Sequence, residues 1–294
     1  VTWVLTAAGT ILILYVMRDI FHTLWHPSGF GALSRSVFRI MWRLTKLRNQ
    51  RSSHSTELAG PLALLATLGT WALLSIIGFT MVYLPRMPDD FFFGSSLGPR
   101  AASDVLSSLY LSLVAMGTLG LGDVLPATPL LRVVVPVEAL VGFVLLTAGI
   151  SWVLQLYPAL IRRRTLARRL TTMCRTEARE VVETGHASVA VQYLESIRSE
   201  LATVEMDLVL YSESYYFRES QSDISLAAVL PFVVDLVAAG QRSSAPEVRQ
   251  AAKMLGSALG ELLALLRRDH LGEVGGDSET LVAFANDHQQ PILH

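Results

Sequence analysis

The sequence is short of charge and almost without cysteine. Asp, Glu, Lys and Arg make up 17% of the 294 residues, against roughly 25% in a soluble domain. Cys174 is the single cysteine, which excludes an internal disulfide framework and any zinc or iron–sulfur site built from cysteines. No GxGxxG follows a strand pattern, so a nucleotide-sensing Rossmann domain is not indicated. Cyclic-nucleotide domain, EF-hand and heptad patterns are also missing. No nucleophile–base pair or metal constellation is legible, so neither an enzyme nor an organic cofactor is expected, and no nucleic-acid partner. What fills the space is apolar: 51% of residues are hydrophobic and the mean hydropathy is +0.44. This composition excludes a disordered chain and argues for a lipid bilayer as partner.

The net charge of −1 hides a split. Residues 1–164 carry 13 Lys+Arg against 7 Asp+Glu, a net of +6, and residues 165–294 carry 11 against 18, a net of −7. A spanning helix needs about 20 apolar residues. Gly60–Leu84 lies in a stretch without charge, as does Ala139–Ile161, whose helix should begin near Leu130. Val1–Val16 is a third apolar run, followed by the belt Tyr15, Phe21 and Trp25. It is read as a span rather than a signal peptide, since it shows no basic leader or small-residue cleavage site. The chain starts at Val, and the natural N-terminus is expected to extend further. Arg35, Arg39, Arg43, Lys46, Arg48 and Arg51 follow the first span, and Arg162, Arg163, Arg164, Arg168 and Arg169 follow the last. The positive-inside rule puts both clusters in the cytoplasm. Residues 85–103, with Arg86 and Arg100 against Asp89 and Asp90, should be outside. The result is three spans, N-terminus out and C-terminus in. Arg35, Arg39 and Arg43 share one face of an interfacial amphipathic helix. They lie outside any apolar span, which speaks against a voltage sensor.

Between the second and third spans, Asp104–Met116 is apolar and too short to cross, so a re-entrant half-helix is expected. Asp104 suits its N-terminal dipole. Gly117-Thr118-Leu119-Gly120-Leu121-Gly122-Asp123 follows. Irregular backbone at membrane depth survives only when buried in protein or lining a water-filled path. Alternating glycines permit conformations closed to other residues, as a row of inward carbonyls requires. Leu119 and Leu121 would then point outward into the protein, and the Thr118 hydroxyl could add a further oxygen ring. A bare cation needs several oxygens, so several chains must surround one axis. A helix-packing face of small residues is the rival. A phosphate loop fails, because neither the preceding strand nor the following Lys and Ser/Thr is present.

The stretch resembles the pore of the potassium channel family. Tyr110 and Ser112 fall at pore-helix positions, and Thr118-Leu119-Gly120-Leu121-Gly122-Asp123 is similar to the filter Thr-Val-Gly-Tyr-Gly-Asp. Pro126 follows at the usual spacing, Arg132 opens the inner helix, and Gly142 matches the glycine hinge. The resemblance implies a homotetramer with K⁺ at Thr118, Leu119, Gly120 and Leu121. Leu121 is similar to the Gly-Leu-Gly filters of the second pore loop in two-pore-domain channels. It removes a bracing phenol, and Gly117 and Ala115 remove hydroxyls, so a weakly selective cation channel is the alternative. A membrane-anchored sensor with a vestigial pore is the other. A prokaryotic source and a plasma membrane (the inner membrane, in a bacterium) are expected.

Four side-chain readings remain. Glu138, within the third span, either faces the pore or hydrogen-bonds the pore helix at Ser112; the second is preferred, with Asp123, Ser112 and Glu138 supporting the filter. Phe143, Leu146, Ile150 and Leu154 form an apolar stripe that could gate by dewetting, and Pro158 could bend or end the helix. Asp19, His22 and His26 are read as an interfacial polar cluster. After Arg169 the pattern turns to soluble helices, with a buried helix over Ile224–Ala239, another from Pro246 to about Arg268, an aromatic core cluster of Tyr211, Tyr215, Tyr216 and Phe217, and a loose tail over Leu281–His294. The expected fold is an all-α membrane protein: a peripheral helix (1–26), a basic interfacial segment (27–58), a pore module of outer helix, pore helix, filter and inner helix (59–161), and a cytoplasmic helical domain (162–294) with a regulatory ligand of unknown chemistry.

Overall fold

The computed structural model describes residues 2–25, 31–49, 58–94, 103–272 and 274–293. His26, Arg51 and Arg100 fall outside the described residues. The helices are α1 (Thr2–Leu24), α2 (Ala32–Asn49), α3 (Ala59–Tyr83), α4 (Asp104–Met116), α5 (Leu131–Arg175), α6 (Ala178–Thr184), α7 (Ala187–Leu210), α8 (Leu226–Val229), α9 (Pro231–Arg242), α10 (Pro246–Leu266) and α11 (Asp277–Asp287). Strands β1 (Phe91–Phe93) and β2 (Val124–Pro126) form one antiparallel pair with Phe92 opposite Leu125. Among the described residues three helices, α1, the α3 stretch to Arg86, and α5, are long and apolar enough to cross a membrane. The chain is an all-α membrane protein.

Contacts divide it into two compact units, Val1–Ile40 with Leu62–Leu154, and Met41–Pro61 with Gln155–His294. These differ from the expected segments. The changeover falls within α2 and within α5, because Trp42, Lys46 and Gly60 pack against residues of the C-terminal unit. The Trp42 indole donates to Asp287 at 3.1 Å, Lys46 pairs with Asp287 at 2.8 Å, and Gly60 lies against the Phe217 ring.

In the first unit, polar side chains on apolar helices return their hydrogen bonds to their own backbone. Thr67 and Thr70 donate to the carbonyls of Ala63 and Ala66 at 2.8 and 2.7 Å, while the buried hydroxyls of Ser75 and Thr80 have no hydrogen-bond partner among the described residues. Asp19 of α1 is buried and serves as a cap for α2. Its carboxylate accepts from the backbone N–H of Leu33 (2.9 Å) and Ser34 (3.2 Å), from the Ser34 hydroxyl (2.6 Å) and from the Trp71 indole (3.0 Å). Trp71 stacks on Trp152 of α5, which also meets Phe38 of α2. One carboxylate and three aromatic rings therefore join all four long helices of this unit. On α2, Phe38 is buried while Arg35 and Arg39 are exposed.

In the second unit, α10 packs on α7 and α9, α6 lies against α7 and α9, and α11 against α10 and α8. The core is the apolar face of α7 (Leu194, Ile197, Leu201, Val204) against that of α10 (Val248, Leu255, Leu259, Leu262). The expected single helix over Ile224–Ala239 is instead two, α8 and α9, with Pro231 opening the second where its missing N–H costs nothing. After α10 comes a wider turn, Arg267–Leu271, which ends at Gly272 in the left-handed conformation (φ +77°). The expected loose tail is also corrected. Residues 277–287 are helical, Leu281, Phe284 and Ala285 are buried, and the Leu293 N–H reaches the Ala228 carbonyl at 2.9 Å. Apolar burial and the bonds of Asp287 overcome the glycine turn that precedes this helix.

The basic end of α5 is the larger surprise. Arg163 is buried and donates to the Ser214 and Phe217 carbonyls at 2.7 and 2.6 Å and to Glu219 at 2.7 Å. Arg162 grips Asp207, Arg164 reaches Glu219, Arg168 pairs with Asp223, and Arg169 with Glu200. Replacing Arg163 by Ala leaves Glu219 charged and buried without its nearest partner, a loss of about 3–5 kcal/mol. Thermal unfolding of the full chain in detergent should show a clearly lowered midpoint for Arg163→Ala and a much smaller change for Arg168→Ala.

Candidate ion-conduction site

The half-helix α4 is built by local rules. Ser103, with extended backbone, accepts from the Leu106 N–H at 3.3 Å as N-cap, and Asp104 sits in the first turn. At the other end Gly117 keeps helical backbone and its N–H bonds the Leu113 carbonyl at 2.9 Å, while the N–H groups of Thr118 and Leu119 reach Ala115 and Val114. The chain then leaves the helix abruptly. Thr118 (φ +54°), Gly120 (φ +56°) and Gly122 (φ +77°) are left-handed, with Leu119 and Leu121 between them not so. Alternating handedness swings successive carbonyls toward one side of a strand, where ordinary extended chain would point them to both. A Cβ at Gly120 or Gly122 would meet nothing within 4 Å, so the glycines answer to backbone conformation and not to crowding.

Both ends of this loop are held. At one end the Tyr110 hydroxyl of α4 donates to Asp123, the Asp123 carbonyl accepts from Gly94 N–H at 2.8 Å, and β2 continues into the pair with β1. At the other end Gly142 of α5 lies directly under the Met116 carbonyl, which a Cβ would strike. α5 runs unbroken through Gly142. Gly142, expected as a hinge, is a close-approach position between α5 and the end of α4.

Glu138 is wholly buried. The Ser112 hydroxyl donates to one of its oxygens at 2.5 Å and the Tyr83 hydroxyl to the other at 2.7 Å. One carboxylate therefore ties α3, α4 and α5 together behind the loop. Sequence reading found Ser112 and missed Tyr83, whose only signal was a phenol at the end of an apolar run. Around this point Phe79, Met87, Phe91, Leu111, Met116, Val124 and Leu131 form an apolar core.

The remaining predicted residues lie at the surface of the single chain. Leu119 and Leu121 were expected to pack outward into protein. In the single chain they are 65% and 62% exposed, and Gly117 to Gly122 are exposed throughout. Phe143, Leu146, Ile150 and Leu154 are all exposed. Leu146 and Ile150 border an apolar cavity of about 460 Å³ that also touches Leu64, Leu113 and Gly117, while Phe143 and Leu154 do not.

Residues 67–157, which contain α4, the glycine loop and the facing parts of α3 and α5, match the model of the family described as "Ion channel". The chain is also similar to a curated protein of Bacillus subtilis (strain 168), "Uncharacterized membrane protein YdjJ". The two are 28% identical over 167 residues, 56% of this chain and 48% of that protein. The chain thus spans about half the length of this relative. No solved structure shows significant similarity. Fold and matched segment together point to a membrane protein with a segment similar to an ion-channel family.

Replacing Glu138 by Ala would leave the buried Tyr83 hydroxyl unpaired, at about 1–3 kcal/mol, and Ser112 with only the Ile76 carbonyl at 3.2 Å. A thermal melt of the purified protein should fall accordingly. Glu138→Gln keeps an acceptor for one hydroxyl and should melt between the two. Conduction lost in Glu138→Gln with an unchanged melt would instead assign the carboxylate to the ion path.

Proposed function

We propose that the chain is one subunit of a homotetrameric channel that conducts K⁺ across the plasma membrane. The carrying observation is the alternation of left-handed residues at Thr118, Gly120 and Gly122, directly after a capped half-helix and between two membrane-length helices. The carbonyls of Thr118, Leu119, Gly120 and Leu121, with the Thr118 hydroxyl, are the oxygens that take the place of a cation's hydration shell. A single strand offers too few of them, and four copies around an axis supply a full set. The exposure of the loop and its leucines in one chain supports that arrangement, since these apolar side chains then have neighbours to pack on. Tyr110, Asp123, Ser112 and Glu138 hold the loop in shape. Leu146 and Ile150 lie on the inner-helix stripe assigned to the gate. Basic clusters after α1 and along the end of α5 favour an N-terminus outside and a C-terminal unit in the cytoplasm.

Selectivity is the open variable of this reading. Ala115, Gly117 and Leu121 carry none of the hydroxyls found there in the resembled family, which favours a weakly selective cation pore as second reading. Purified protein in liposomes under a K⁺ gradient separates the possibilities. K⁺ flux well above Na⁺ flux is expected, and equal fluxes support the weakly selective pore. Absence of both, or a monomeric state in the membrane, overturns the channel and supports the anchored sensor. Gly120→Ala forces a Cβ into left-handed backbone, at roughly 1–2 kcal/mol per subunit. It should reduce flux at least tenfold while the protein still assembles.

A further inference from the structure

The C-terminal unit holds a buried histidine that the channel reading does not use. His288 is 3% exposed, and its Nε2 has no hydrogen-bond partner among the described residues. Three rings enclose it edge-on: Trp42 of α2 at 5.3 Å, Tyr215 at 4.9 Å and Phe284 of α11 at 4.7 Å. The same rings close a latch on α2. The Trp42 indole, Lys46 and the Tyr215 hydroxyl all converge on the Asp287 carboxylate, at 3.1, 2.8 and 2.7 Å. The Arg218 guanidinium lies 4.0 Å over the Trp42 ring and donates to the Asp287 carbonyl and to Gln289.

The charges that face His288 are mostly of one sign. Arg163 of α5, Arg218 of the loop after Tyr216, His270 of the turn after α10 and Lys46 of α2 all act against a proton on it. Asp287 of α11 is committed to Trp42, Lys46 and Tyr215. Glu219 is committed to Arg163 and Arg164. The phenol of Tyr215 stays neutral, pushed up by burial and by Asp287. A neutral imidazole fits this pocket as one more ring, and an imidazolium would be an unpaired cation among cations.

We propose that His288 makes the docking of α2 on the C-terminal unit acid-sensitive: protonation expels it from the ring pocket and releases Trp42 and Lys46 from Asp287. Burial, followed by the cations of Arg163 and Arg218, holds the imidazole well below its usual range. The sign follows. The released state protonates near the ordinary 6.5 and the latched state only at lower pH, so the latch is at full strength above about 6.5 and weakens as pH falls below it. Each pH unit in that window shifts the equilibrium toward release by up to tenfold. The inference does not depend on ion conduction.

Hydrogen–deuterium exchange of the full chain in detergent, corrected for the intrinsic pH dependence of exchange, reads this directly. From pH 7.5 to 5.0, protection of segments 41–47 and 281–290 should fall by about tenfold or more, while the α7 and α10 segments hold. His288→Phe keeps the ring and loses the proton site, so its protection should not change with pH. Constant protection in the natural chain overturns the proposal, whatever the variants do. So does pH dependence that survives in His288→Phe, or one abolished by His270→Phe alone.

Discussion

Hydrocarbon offers no hydrogen bond to a peptide group, and most of the first unit follows from that. A helix satisfies its own backbone, so α1, α3 and the apolar length of α5 are helices, and Thr6, Thr10, Thr67 and Thr70 donate to carbonyls four residues back. Where a carboxylate does enter this unit, its oxygens are engaged. Asp19 accepts from two backbone N–H groups, a hydroxyl and an indole, and Glu138 from two hydroxyls. The non-helical stretch after α4 stands out against this rule. Its backbone groups have no regular ladder, so at membrane depth the segment is tolerable only where it is buried in protein or lines a water-filled path. The family match over 67–157 is a separate observation leading to the same segment.

What could be read from the residues alone was what local composition dictates. The bounds of α4 came from a charge at one end and a glycine at the other. The three long helices came from runs without charge. The alternate glycines implied an unusual backbone because no other residue enters left-handed space so freely. Thr118 shows where that logic stops. It shares the left-handed conformation (φ +54°) with no local residue preference to announce it, and only the alternation begun by Gly120 and Gly122 explains why it is there. Gly142 marks a second boundary. Its position was legible, but its use as a contact with Met116 required knowing that α4 ends against α5.

Partnerships between distant residues left little trace in the sequence. Tyr83 and Glu138 are 55 residues apart and Trp42 and Asp287 are 245 apart. The β pair is three residues a side, too short for a period-2 pattern to register. Asp287 looked like part of a solvated tail. It is instead where a tryptophan, a lysine and a tyrosine converge, and its helix is ordered by that convergence together with Phe284 and Leu281.

The hidden charge split has the same character. A basic run after a span is ordinarily read as a topology signal, and an acidic soluble half as solubility. Here the two charge groups meet in ion pairs from Arg162 to Arg169. The pairs are not equivalent. Arg168 with Asp223 is largely in water, where such a bond is worth about 0–1 kcal/mol. Arg163 with Glu219 is dry and satisfied by two further carbonyls, so its geometry is specified and its loss costly. Arg163 lies on the same continuous helix as Gly142, Leu146 and Ile150. A rearrangement of the Ser214–Glu219 segment therefore acts on α5 itself through a buried guanidinium. Tyr215 and Arg218, which hold Trp42 and Asp287, belong to that segment as well. The residues that fasten α2 and those that fasten α5 are within a few positions of each other, so neither contact can be remodelled without disturbing the other.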